Sequence, residues 1–454
     1  PNLVDGANNT ALHISGYNGN FELSDEIIRR TNRLLVNVPN NDKKTPMDMV
    51  IDGRVEHPTF EHTKVLALLK IHKGRSLNPK EQAVAGPEYI ERVIEEALTA
   101  ELFNATEKLD KAYGIKLIQA GAEVNPTYLE PRSFDTNPLA RVITRAMQEK
   151  QLTKEMMAFA GMLIDYGAKV GAPFILEMHD TNAAPTSLVE LLNHPYLDPK
   201  IASFIYKMKA VQEANDLLFE AAFENDPVKG KAALDAHANI NARIRYGITP
   251  LLFGVTKGHT EFSVFAIKNS ADLEAVTTTG LNVLHMGTHT ENTELFDMLL
   301  AELKSANKSI TIRTGNDIGN EPIHEATMLK KMKMVEKIAS AGGDVNAENE
   351  VNESPLQIAL LNNDPKMADL LFGLGAKVTD YLIEFASDFL KNEDMATELK
   401  AAKQVQDREA RESGVVELPA PQARAEPLQP VGQPAEETLT NVVEFVPFKK
   451  PDDK

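Results

Sequence analysis

Residues 342–378 read GGDVNAENEVNESPLQIALLNNDPKMADLLFGLGAKV. The stretch opens on GGDVN at Gly342 and closes on GAKV at Gly375, two copies of one phrase set 33 residues apart. With conservative changes the phrase recurs as GAEVN at Gly121, GAKVG at Gly167, HANIN at His237 and SADLE at Ser270. His237 and Ser270 are again 33 residues apart, and the 72 from Ser270 to Gly342 divide into units of 33 and 39. A period near 33 marks a chain of small units, none able to bury its apolar face alone, so that neighbours must share a core.

A second landmark runs in the same register. GITPLLFGVTKGH starts at Gly247, GLNVLHMGTHTEN at Gly280, GNEPIHEATMLKK at Gly319 and NESPLQIALLNND at Asn352, which puts Thr249, Asn282, Glu321 and Ser354 in one slot. A polar residue there precedes Pro or Val, then an aliphatic residue and often His, as expected of a capped helix start with Pro in its first turn. Gly258 punctuates the first of these units, and a second helix follows with apolar residues at helical spacing, as in Phe262, Phe265 and Ala266 or Leu295, Met298 and Leu299. The repeated phrase then ends that helix and turns the chain outward. Each unit therefore reads turn, helix, turn, helix.

These motifs resemble the ankyrin repeat, with its Thr-Pro-Leu-His start, two antiparallel helices and Gly-Ala-Asp-Val-Asn end. The resemblance covers residues 216–380 and returns near the N-terminus, where NNTALHISGYNGN sets Thr10 and His13 in register and KKTPMDMV brings Thr45 35 residues on. Between about 80 and 210 only GAEVN and GAKVG survive. The interval from Gly121 to Gly167 is 46 residues, and the 70 from Gly167 to His237 leave room for two stretched units, the second opening at APTSLVELL from Ala184. The resemblance implies an all-α, ankyrin-type helical solenoid with degenerate, insertion-bearing middle repeats and a disordered Pro-rich tail. The expected divisions are N-terminal repeats over 1–79, a degenerate segment over 80–210, repeats over 211–380, a charged helical cap over 381–411 and a flexible tail over 412–454. Seven prolines between Pro419 and Pro451 mark that tail.

Composition narrows the chemistry. The chain has 454 residues, 43% hydrophobic and 25% charged, with no Cys, so disulfides, thiolate metal sites and a cysteine nucleophile are excluded. A net charge of −18 repels phosphate backbones and anionic lipid, so neither nucleic acid nor membrane is expected as a partner. The three lysines of LKKMKM at 329–334 read as a solvated helix face. PNLVDGANNTALHI lacks the basic-then-apolar order of a secretory leader.

No Gly-rich phosphate loop, His-Glu-x-x-His or Gly-x-Ser-x-Gly is present. Of the eleven histidines, His13, His285 and His324 fall in the fourth position of the Thr-Pro-Leu-His motif and His259 follows the mid-unit Gly, positions expected to be structural. His285 and His289 stand four apart on one helix, a metal-compatible spacing, yet His285 is already claimed by the repeat. HPTFEHTK at 57–64 opens like the His-Pro-x-Phe of some AMP- or phosphocholine-transferring domains, but His62, Thr63 and Lys64 follow Glu61 where the phosphate-cradling residues would stand. No cofactor or metal is expected, and no catalytic residue is assigned.

What remains is a binding surface. In a stack of this kind the hairpin tips and first helices line a concave face, giving Arg243, Arg245 and Tyr246 at the first complete hairpin, Phe253 and Lys257 on the helix after it, then Met286 and His289, then Glu325 and Met328. Tyr, Arg, Phe and Met are typical interface anchors. The expected activity is capture of a protein partner. Degenerate repeats, irregular insertions and the tail AEETLTNVVEFVPFKKPDDK look like ankyrin-repeat effectors that intracellular bacteria deliver into host cytoplasm; otherwise a cytoplasmic scaffold is expected. The alternative is an enzyme whose active site lies in 80–210 and whose repeats target it.

Overall fold

The computed structural model describes residues 4–30, 36–56, 59–72, 74, 87–126, 137–172, 174, 186–194, 197–389 and 392–412. Among these there is no strand, and two isolated bridges, Val4 with Thr10 and Phe174 with Thr186, are the extended pairings. The chain is all-helical. The N-terminal helices are α1 (Ala11–Tyr17), α2 (Phe21–Arg30), α3 (Pro46–Glu56) and α4 (Phe60–Ile71). The middle holds α5 (Pro87–Lys108), α6 (Lys111–Gln119), α7 (Pro138–Glu149), α8 (Lys154–Asp165), α9 (Leu188–Leu191) and α10 (Pro199–Glu224). Then follow α11 (Pro227–Asp235), α12 (Pro250–Thr256), α13 (Thr260–Lys268), α14 (Val283–Thr288), α15 (Thr293–Ser305), α16 (Pro322–Met328), α17 (Met332–Ser340), α18 (Pro355–Leu361) and α19 (Pro365–Gly373). The helices α20 (Asp380–Glu384) and α21 (Glu393–Glu412) close the described chain.

Several of the short helices start on a side-chain cap or a first-turn Pro that the sequence supplies. Thr249 Oγ1 accepts from Leu252 N, Ser354 Oγ from Gln357 N, and Pro250, Pro322 and Pro355 stand in the first turn, where a missing N–H costs nothing. The first helices pack on one another in series, α10 on α12, α12 on α14, α14 on α16 and α16 on α18, while α11 packs on α13 and α15 on α17. Two helical layers result. One apolar core runs through them from Leu218 to Leu399, with Phe262 and Phe296 fully buried.

The repeated phrase has a physical reason. Its first residue takes positive φ every time: Gly121, Gly167, His237, Ser270, Gly342 and Gly375. This is the left-handed residue that stops a helix and frees its last carbonyls for capping. The phrase's closing Asn then ties neighbouring units together, since Asn125, Asn241 and Asn346 accept through Oδ1 from the backbone N–H of Lys169, Asp272 and Lys377 in the next copy. Hairpin tips also bond in series, Thr278 N to Tyr246 O, Asp317 N to Thr279 O and Glu350 N to Ile318 O, while Arg243 N donates to Asp165 O at the end of α8.

The interval between Gly167 and His237 is built differently from two stretched units. Ser187 does open a helix with a reciprocal cap from Glu190, but α9 lasts one turn. Asp198 and Pro199 then start α10, which meets no Gly or Pro and runs 26 residues to the left-handed Asn225. The bond from Arg243 N to Asp165 O ties the 237 hairpin to the C-terminal end of α8, just before Gly167. Residues 80–86 and the tail 413–454 lie outside the described residues.

Candidate interaction surface

The three histidines of the cap motif are settled by their hydrogen bonds. His285 Nδ1 accepts from Asn282 N at 3.2 Å and its Nε2 lies 2.7 Å from Asn320 O, across the boundary to the next unit. His13 repeats this with Thr10 N and Lys44 O, and His324 with Glu321 N and Ala347 O. All three are fully buried. Burial holds their basicity down, that of His285 to about 4. With both ring nitrogens engaged, His285 has no lone pair for a metal, and no group of three or more His, Cys, Asp or Glu among the described residues is arranged to hold one. His62 likewise reaches Tyr17 O at 2.9 Å.

In the middle segment the groups that burial perturbs are packing residues. Burial pushes the Tyr113 phenol up, and its hydroxyl donates to Glu101 at 3.4 Å. Burial also raises the Asp165 and Asp216 carboxyls, against hydrogen bonds from Asn239 and Gln212.

Of the nine residues expected to form the binding face, three are exposed. Tyr246 is 42% exposed, held at the hairpin tip with positive φ, and Arg245 and Lys257 stand beside solvent. Arg245 is engaged within the chain: its guanidinium stacks over the Tyr246 ring and reaches Glu123 at 3.0 Å and Glu95 at 3.6 Å. Arg243 turns inward, donating to Gly247 O at 2.8 Å and Val276 O at 2.6 Å, so it braces two successive hairpins. His289 and Met328 are partly buried.

The slots of Phe253, Met286 and Glu325, read from the sequence as outward-facing, are buried at 6%, 3% and 3% exposure. The cause is the close stacking of first helices. Phe253 meets Phe223 of α10 with ring centroids 6.3 Å apart, and Lys257 Nζ lies 5.9 Å over its ring. Phe223, 49% exposed, is the aromatic the sequence reading passed over. It stands 33 residues before Thr256, the last residue of α12, so carrying the period of that helix one unit back into α10 would have found it.

The Thr slot also holds one departure. Glu321 occupies it, one carboxylate oxygen is buried without a partner, and burial, with the Asp344 charge, pushes its pKa up to about 7 against the pull of Arg313.

No family model matches the chain. It is similar to the nuclear factor NF-kappa-B p105 subunit of Gallus gallus, 33% identical over 92 residues, which make up 20% of this chain and 9% of that protein. The match therefore spans under a tenth of that relative's length. Among the described residues no helix is long and apolar enough to cross a membrane.

Proposed function

We propose that this chain is an ankyrin-type solenoid whose activity is to bind a protein partner along the first-helix layer and its hairpins. The observation that carries the reading is the hydrogen-bonded series of hairpin tips from Tyr246 to Glu350, which sets successive tips and first helices side by side. Similarity over 92 residues to a relative that contains ankyrin repeats supports it. The side chains offered to a partner are Phe223, Tyr246, Lys257, His289 and Met328, while Phe253 and Met286 form the floor beneath them.

Tyr246→Ala combined with Lys257→Glu alters two exposed side chains and gives up the Lys257 cation over the Phe253 ring and the Arg245 stack on Tyr246. The pair is expected to weaken capture of the partner from a cell lysate more than tenfold, with helical circular dichroism unchanged. Undiminished capture would move the contact off this face.

The proposal extends to delivery into a host cell, on the strength of the Pro-rich tail, whose residues 413–454 lie outside those described. A translocation reporter fused to the full chain and to a chain ending at Glu412 tests it. Equal signals from the two would remove the tail's role.

A further inference from the structure

One slot of the first-helix layer breaks its own pattern. Four residues beyond each cap stand Phe253, Met286, Glu325 and Ile358, three apolar side chains and one carboxylate, all of them buried. Glu325 Oε1 has no hydrogen-bond partner. His289 Nε2 stands 3.2 Å from it, outside hydrogen-bond geometry, and the His289 side chain keeps 18% of its surface exposed. A carboxylate oxygen taken out of water with an imidazole in ion-pair range but no hydrogen bond costs the free chain more than the apolar residue found in the other units would. Within the chain, the His289 ring is the group that stands against this carboxylate, and it makes no hydrogen bond to it.

We propose that Glu325 receives a single Lys or Arg side chain from a bound polypeptide, with apolar residues on either side of that cation. This rests on the first-helix layer being the binding face. The surroundings fit such an occupant. Met286 on α14 lies three residues before His289, which caps that helix, and Met328 lies three after Glu325 on α16, so each methionine is about one turn from its member of the His–Glu pair. Methionine adapts its shape to an incoming apolar neighbour. The chain's net charge of −18 draws a basic segment toward it. On binding, the cation donates to Oε1, and the His289 ring turns aside into solvent.

The test selects a random dodecapeptide display library on the full chain. Winning peptides are then titrated by fluorescence anisotropy against the native protein and against the Glu325→Gln, Glu325→Met and Met328→Glu variants. The expected peptides carry Lys or Arg between apolar residues. Both Glu325 variants weaken them at least tenfold while melting at or above the native temperature. Peptides that lose affinity for Met328→Glu but show no basic position, or that bind Glu325→Met as well as native, overturn the cation site and leave the binding face standing. A Glu325→Met chain that melts well below native shows the carboxylate to be part of the fold and overturns the site as well. Peptides indifferent to all three variants, or a library that yields no binder, overturn both the site and the face it rests on.

Discussion

Lowering the pH from 7 to 5 should loosen this chain through its buried histidines, and His285 lets the size be worked out. Its Nδ1 accepts from Asn282 N and its Nε2–H donates to Asn320 O, a pattern only the neutral ring satisfies. Protonating Nδ1 would set an N–H against an N–H with no water to relieve it. Burial accordingly depresses its pKa from 6.5 to about 4. The unfolded chain binds that proton readily below pH 6.5 and the folded chain does not, so the stabilisation is present above 6.5 and is lost as pH falls toward 4. At about 1.4 kcal/mol per pH unit, His285 alone contributes a loss of roughly 2 kcal/mol between pH 6.5 and 5. His13 and His324, depressed in the same direction, add to it. The assay is urea unfolding followed by circular dichroism at both pH values, for the native chain and for His285→Gln. Whatever the substitution costs at pH 7, it removes one titrating ring, and the loss between pH 7 and 5 should shrink by about 2 kcal/mol. An identical loss in the two proteins would refute the neutral, doubly bonded imidazole.

Three further outcomes follow from particular positions. Ser270 and His237 are exposed and hold the left-handed turn that Gly fills in other copies of the phrase, so Ser270→Gly and His237→Gly should each raise stability by about 1 kcal/mol in thermal melts. Glu321→Thr restores the usual cap. Because a carboxyl raised to about 7 loses its contribution to stability as pH rises from 4.5 through 7, the gain should be roughly 1–2 kcal/mol at pH 8 after discounting for a half-buried group, and smaller at pH 5. Phe253→Ala should cost about 3 kcal/mol of unfolding free energy, measured by urea unfolding, since it opens a cavity against Phe223 and the α12 core.

The spacing of landmarks was legible in the sequence because stacked units must present matching surfaces to each other, and neither the cap nor the left-handed turn tolerates many residue types. Thr249, Ser354 and Gly342 announce themselves for that reason. Exposure on the first helices was not legible in the same way. Whether Phe253 faces solvent depends on how closely α10 approaches α12, and α10 is the long helix whose residues carry no landmark at all. Arg243 reads as a free cation at a hairpin tip, yet the backbone there aims it at the Val276 carbonyl of the next hairpin. The buried oxygens of Glu321 and Glu325 were likewise invisible, because charge in a sequence carries no sign of the water it has lost.

The central claim, that a polypeptide lies along the hairpins and the first-helix layer, is tested most directly by amide hydrogen exchange of the full chain with and without its captured partner. Slowed exchange is expected at the tip of the 243–247 hairpin and over α12, α14 and α16, with α13, α15 and α17 exchanging as in the free chain. Protection confined to α13, α15 and α17, or to residues 137–172, would contradict it.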